Sequence, residues 1–167
     1  SLAVRNSYRL LNLVNQLLDF QKIGAGKKKL TLKPLPLGPF VLAFDDYFRG
    51  ACLSKGLDFH LEVPPSSEGL IVISGEVDSL EKVIYNFLSN ALKYTREGGA
   101  IVLALKRELA SARIEVRDTG EGIAKQDQGL VFEVFRQVHY DGARQPNGSG
   151  LGLALAKELT ELMGGTI

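Results

Sequence analysis

One cysteine in 167 residues, a formal net charge of only +1, and no long apolar run each remove a class of function. Cys52 has no partner for an internal disulfide, so it reads as a small hydrophobe in a reducing compartment. The near-zero charge supplies no overall field to draw the chain to nucleic acid or a membrane surface. No segment approaches the roughly 20 apolar residues that span a bilayer, and no signal peptide is visible. No internal repeat and no low-complexity tract appears. What is present is 45% hydrophobic and 23% charged residues, the mix of an ordinary globular protein. The length favours one domain burying about 70% of its unfolded surface. The sequence opens in mid-helix and stops at "MGGTI" as a strand begins, so the expectation is a fragment of something longer.

Residues 2–22 carry a helical stripe: Ala3, Leu10, Val14 and Leu17 alternate by threes and fours, widened by Leu11 and Leu18. That spacing suits the seam of a helical hairpin or dimer, and packing on the chain's own globular part is the alternative. Glycines 24 and 26 then break the helix among lysines. Gly26-Lys27 is no Walker loop, because Gln21 stands where the first glycine belongs and Lys28 where Ser or Thr belongs.

Downstream the texture is mixed. "KLTLKPL" reads as an edge strand ended by Pro34 and Pro36, and residues 38–54 as a helix. "LDFHLEV" alternates as a strand with His60 on its polar face, where a solvated histidine is expected. "GLIVIS" is another strand, 76–95 a strong helix, and "AIVLALKREL" with "SARIEVRD" an antiparallel pair. Residues 124–135 read as helical, 136–149 as a polar loop, and 150–163 as a last helix. Strands and helices without regular alternation predict an α+β fold. Its form is a two-layer α/β sandwich, a mixed and mostly antiparallel sheet covered on one face by helices, after one long N-terminal helix.

Three stretches carry chemistry. On helix 76–95, Asn86, Asn90 and Lys93 stand at i, i+4 and i+7, a polar stripe beside an apolar one. Asparagine gains little on a solvated helix face. Its carboxamide oxygen suits Mg²⁺, which takes one or two protein ligands beside phosphate oxygens, and a lysine adds a point charge for those phosphates. In "RDTGEGIA", Asp118 ends a strand ahead of Gly120 and Gly122. A buried carboxylate there needs a donor, which the exocyclic amine of adenine supplies and guanine does not. A plain turn is the competing reading. In "NGSGLGLALAKEL", Gly148, Gly150 and Gly152 lead into a helix whose N-terminal amides favour phosphate. A dinucleotide fingerprint fails, since Leu153 replaces its third glycine and a polar loop precedes it.

Taken in order, these three motifs resemble the nucleotide site of the sensor histidine kinases, members of the ATPase superfamily shared with type II topoisomerases, heat-shock chaperones and mismatch-repair proteins. "VFEVFRQV" resembles their phenylalanine box, and "LLNLVNQLLDFQKIGAGKKKL" the end of their dimerisation hairpin and its linker. The resemblance implies that residues 1–23 are part of the second hairpin helix and 24–30 the linker. It makes 31–167 an ATP-binding catalytic domain whose last strand is truncated. It assigns Mg²⁺ to Asn90, a supporting catalytic role to Asn86, phosphate contact to Lys93 and nucleotide contact to Tyr94. Asp118 reads the adenine amine, and Gly120, Gly122 and Ile123 shape the pocket. Phe132 and Phe135 anchor a lid, with a plain core role as the alternative. Gly148, Ser149, Gly150 and Gly152 close over phosphate, with Leu151 and Leu153 near the base.

Asn86 separates branches of that superfamily. ATP-hydrolysing relatives carry a glutamate there to activate water, and an amide cannot accept that proton. The resemblance therefore implies γ-phosphoryl transfer from Mg·ATP to a histidine, and thence to the receiver domain of a response regulator. It implies a homodimeric, cytoplasmic kinase, with membrane anchoring of the parent left open. Two departures stand out. Arg136-Gln137 replaces the aromatic–arginine order common after the second phenylalanine. Neither His60 nor His139 is followed by the acidic residue and proline of the phosphoacceptor motif, so the chain is not expected to phosphorylate itself. An ATP-hydrolysing switch, a serine-phosphorylating relative and a non-catalytic nucleotide-binding module are the remaining alternatives.

Overall fold

The computed structural model describes residues 2–136 and 149–167. In chain order the elements are α1 (Leu2–Gly24), β1 (Lys33–Pro36), α2 (Leu37–Leu42), α3 (Asp45–Leu53), β2 (Asp58–Glu62), β3 (Val72–Gly75), α4 (Val77–Tyr94), β4 (Ala100–Arg107), β5 (Ala112–Asp118) and α5 (Gly152–Leu162). They group into two compact units, a sheet unit of Thr31–Gly122 and a helical unit of Ser1–Leu30 with Ile123–Ile167.

In the sheet unit, β2 pairs parallel with β4, and β4 antiparallel with β5. β1 and β3 form a separate antiparallel ribbon. Among the described residues two of the three pairings are thus antiparallel, as expected for the mixed α+β class. The strand expected over 29–35 starts later and runs through its prolines. Pro34 and Pro36 are two apart, so their missing N–H groups fall on the same edge, turned away from β3. Alternation places Phe59, Ile101, Leu103 and Leu105 on the buried face. The opposite face carries His60, Val102 and Arg117 in one row, with ion pairs between Lys106 and Glu115 and between Arg117 and Glu62.

The single helix expected over 38–54 is two helices. Pro39 sits in the first turn of α2, where no N–H partner is needed, and Asp45 and Asp46 favour a new helix start at α3. The long helix α4 buries Leu80, Val83, Ile84, Leu88 and Ala91 and packs against β4 and β5. Its start is fixed through Glu76, whose carboxylate accepts from the fully buried Ser79 hydroxyl and from the Thr31 amide.

In the helical unit α1 packs on α5. The side of α1 bearing Leu13, Gln16, Phe20 and Ile23 is half-buried, whereas Leu10, Leu11, Val14, Leu17 and Leu18 remain 40–63% exposed. The stripe singled out in the sequence is therefore the solvent side of α1; the side chain of Ala3 lies outside those described. Gly26, with φ +62°, turns the chain out of the helix. The helix expected over 124–135 is absent apart from a single 3₁₀ turn at Leu130–Phe132. Lys125–Gln128 offers no apolar face to bury and Gly129 interrupts, so the backbone closes mostly i→i+3 bonds instead.

Candidate functional site

The sheet unit brings the first two motifs together. α4 is amphipathic, so burying its apolar side fixes Asn86, Asn90 and Lys93 on another side, half-buried for the asparagines and exposed for the lysine. The Asn86 side-chain N–H donates to the Lys82 carbonyl at 2.8 Å, which commits its nitrogen to the helix and leaves Oδ1 as the group it presents. Lys93 Nζ donates to the Tyr94 hydroxyl at 2.7 Å and lies 4.4 Å from that ring's centre, so the two side chains form one cationic, aromatic surface.

Asp118 ends β5, opposite Ile101 of β4. Its Oδ1 accepts from the Gly120 amide at 2.8 Å, a turn that holds one carboxylate oxygen and leaves the other to bind. The carboxylate is exposed, which corrects the expectation of a buried one, because the glycines following it place no side chain over it. Gly120 has a steric reason. A Cβ there would stand 2.6 Å from Asp118 Oδ1 and 2.9 Å from the Tyr94 carbonyl oxygen. The end of α4 and the Asp118 turn are thus in direct contact, which couples the two motifs physically.

Sequence reasoning missed the residues that hold this contact. Thr95 is buried and donates to the Ala91 carbonyl at 2.7 Å, capping α4 on itself. A Cβ on Gly99 would meet Thr95 Cγ2 at 2.5 Å and Thr119 Oγ1 at 2.7 Å, so only glycine lets the two segments close. Thr119 Oγ1 accepts from the Ala100 amide at 2.9 Å, and Lys55 donates to the Leu92 carbonyl at 2.9 Å. The Gly98-Gly99 pair behind a strong helix was the available signal.

The third motif belongs to the helical unit, together with Ile123, which is exposed. Gly148 lies outside the described residues, as do Gln137, His139 and most of the polar loop. Ser149 Oγ accepts from the Leu151 amide and donates to Gln16 Oε1, both at 3.2 Å. Gly150 needs its identity twice over: φ is +68°, and a Cβ would press to 2.7 Å on the Phe135 backbone. The Phe135 amide donates to the Gly150 carbonyl at 3.0 Å, tying the phenylalanine box to the glycine-rich turn. Phe135 itself has φ +62° and is 65% exposed, so a plain core role is excluded for it, while Phe132 is half-buried. Gly152 opens α5, Leu151 is buried and Leu153 half-buried.

Among the described residues no three His, Cys, Asp or Glu side chains gather as a metal cage. The side of α4 bearing Asn86 and Asn90 offers carboxamide oxygens instead, which fit a Mg²⁺ whose remaining ligands are phosphate and water.

The model of the histidine kinase-, DNA gyrase B- and HSP90-like ATPases matches residues 75–167. The chain is 37% identical, over 99% of its length, to hybrid signal transduction histidine kinase D of Dictyostelium discoideum, covering 11% of that protein. It is 36% identical over 98% of its length to sensor protein GacS of Pseudomonas syringae pv. syringae, covering 18% of it. Among solved structures, full-length ShkA in complex with AMPPNP superposes with a TM-score of 0.81 at 31% identity, over 97% of this chain and 33% of that one. The chain therefore spans less than a fifth of the curated relatives named here. With the asparagine-bearing helix, the aspartate–glycine turn and the glycine-led helix all within or against that match, the chain belongs to the histidine kinase-, DNA gyrase B- and HSP90-like ATPases, as an ATP-binding catalytic domain of the sensor histidine kinase type.

Proposed function

We propose that this chain donates the γ-phosphoryl group of ATP to a histidine on another segment of its parent protein, from which it passes to a response-regulator receiver domain. The observation that carries this is the packing of the Asp118–Gly120 turn on the end of α4, which puts a carboxylate acceptor beside the helix presenting Asn86, Asn90 and Lys93. In this reading Asp118 accepts a hydrogen bond from the adenine amine, and Tyr94 lies along the nucleotide. Lys93 neutralises phosphate charge. Asn90 and Asn86 present carboxamide oxygens toward the metal-bound phosphates. Gly148, Ser149, Gly150 and Gly152 offer backbone amides to phosphate, with Leu151 and Leu153 near the base and Ile123 and Gly122 at the pocket edge. Phe135 anchors the lid. Mg²⁺, when bound with the nucleotide, neutralises charge that develops on the phosphate oxygens. The protein's own contribution is positioning, because little covalent chemistry falls to it in phosphoryl transfer.

Asn86 argues against an ATP-hydrolysing switch. A carboxamide is no base, and its nitrogen is already engaged with Lys82. The exposed leucine side of α1 suits association with a second copy or a hairpin partner, making a homodimeric parent the natural assembly.

The test uses γ-labelled ATP and the purified chain. Calorimetry is expected to show Mg-dependent ATP binding, with no label on the chain itself and label appearing on an added phosphoacceptor hairpin of a homologous kinase. Steady phosphate release without transfer would instead establish the hydrolytic reading.

A further inference from the structure

A second feature of the sheet unit lies away from the nucleotide motifs. Phe40, Phe44, Tyr47, Val77, Glu81 and Tyr85 line a groove of about 460 Å³ floored by Phe48. Val77, Glu81 and Tyr85 stand at i, i+4 and i+8 along one side of α4, and Asn86, Asn90 and Lys93 occupy another. The aromatic side chains brace one another. Tyr47 packs edge-on to Phe48 at 5.0 Å, Tyr85 edge-on to Phe48 at 5.7 Å, and Phe40 edge-on to Phe44 at 5.6 Å. Yet Tyr47 is 62% and Tyr85 47% exposed, an unusual outlay of aromatic surface for side chains with buried rings beside them.

The charge around the groove is predominantly acidic, although Lys82 stands on α4 three residues before Tyr85. Glu81 lines it, and Asp78 is its neighbour on α4, at i−3. Asp46 stands next to Tyr47 on α3, and all three carboxylates belong to exposed residues. No Lys or Arg is among the lining residues. The guanidinium of Arg49 on α3 is already committed, at 2.6 Å to Asp45 and 3.2 Å to the Phe59 carbonyl. Aromatic faces with an acidic rim attract a cation carried on an apolar stem, through the ring quadrupoles and the carboxylates together. The same rim repels phosphates and acidic peptides.

We infer that this groove docks a basic amphipathic helix of a partner protein. An aliphatic side chain of that helix sits on Phe48 between Phe44 and Tyr85. An arginine or lysine one turn away stacks on Tyr47 and pairs with Glu81. The volume falls within the roughly 300–1,000 Å³ of sites that hold a compact apolar group, so it accepts one or two side chains of such a helix while the rest lies over the rim. The inference is independent of the nucleotide reading, since it uses none of the same side chains.

The test is a titration of the ¹⁵N-labelled chain with two synthetic helices of about sixteen residues, long enough to hold helical structure. One has leucines at i, i+4 and i+7 flanked by arginines. The other is identical with glutamates for the arginines. The expected result is amide shifts confined to residues 40–48 and 77–85 with the basic peptide, and binding at least about tenfold weaker for the acidic one. Glu81→Lys and Asp46→Lys, both exposed substitutions that leave the core intact, are each expected to weaken the basic peptide about tenfold, with ATP affinity unchanged. Equal binding of the two peptides, undiminished binding to Glu81→Lys, shifts elsewhere on the chain, or no shifts at about 1 mM peptide would each overturn the inference.

Discussion

Asp118 is the side chain on which nucleotide selectivity rests in this reading. One oxygen is held by the Gly120 amide and the residue as a whole is exposed, so truncation removes an acceptor without disturbing a core. Asp118→Ala is expected to weaken ATP binding by about 1–3 kcal/mol, roughly five- to 150-fold, in calorimetry. Unchanged affinity would remove the adenine assignment. Cys52 makes a different prediction. Its burial holds the thiol above its ordinary pKa, against a smaller opposing pull from Lys55. The side-chain hydrogen bond with Tyr47, then burial, raises the Tyr85 phenol as well. Raised acid pKa values mean that the unfolded chain loses these protons first, so stability falls as pH climbs past the unfolded values. The thermal midpoint is expected to decline from about pH 8.5, where Cys52 begins to contribute, and to go on declining above about pH 10 through Tyr85, and Cys52→Ala to remove the earlier part of that slope.

At the level of elements, the junction between α4 and β5 matters more than either alone. Thr95, Gly99 and Thr119 meet there at distances that exclude one more methyl group. Gly99→Ala is expected to push the helix end from the Asp118 turn at a cost of about 1–3 kcal/mol, lowering both the melting temperature and ATP affinity. It deletes no group proposed to touch the nucleotide, so normal ATP binding by a folded variant would show that the junction does not position the site. This junction was only half legible in sequence. The helix and the turn each announced themselves through asparagines and glycines, but their contact is set by the register of β4 against β5, which no local pattern specifies. The expected helix over 124–135 failed for a related reason. Its apolar residues Leu130, Val131 and Phe132 were visible, but the polar run before Gly129 has nothing to pack and does not extend the turn. The prolines of β1 were read as stops because the free edge that tolerates them is a property of the ribbon.

For the molecule as a whole, the exposed leucines of α1 bear on assembly. If they form a seam, sedimentation of the chain at micromolar concentration is expected to show dimer. Leu10→Glu with Leu17→Glu would shift it to monomer while leaving Mg-dependent ATP binding intact; a wild-type chain that stays monomeric would count against the seam. The sequence by itself determined the α+β class, the long first helix and the three motifs. Each of these is written in short-range periodicity or in residue types whose chemistry does not depend on their neighbours. The tertiary structure alone decided that Asp118 is open rather than buried, that Phe135 lies outside any core, that α1 leaves Leu10, Leu11, Leu17 and Leu18 exposed, and that five aromatic side chains gather in an acidic-rimmed groove. Those outcomes depend on which faces meet and how closely. Contact between segments far apart in the chain is fixed by packing and strand register, and a one-dimensional pattern carries neither.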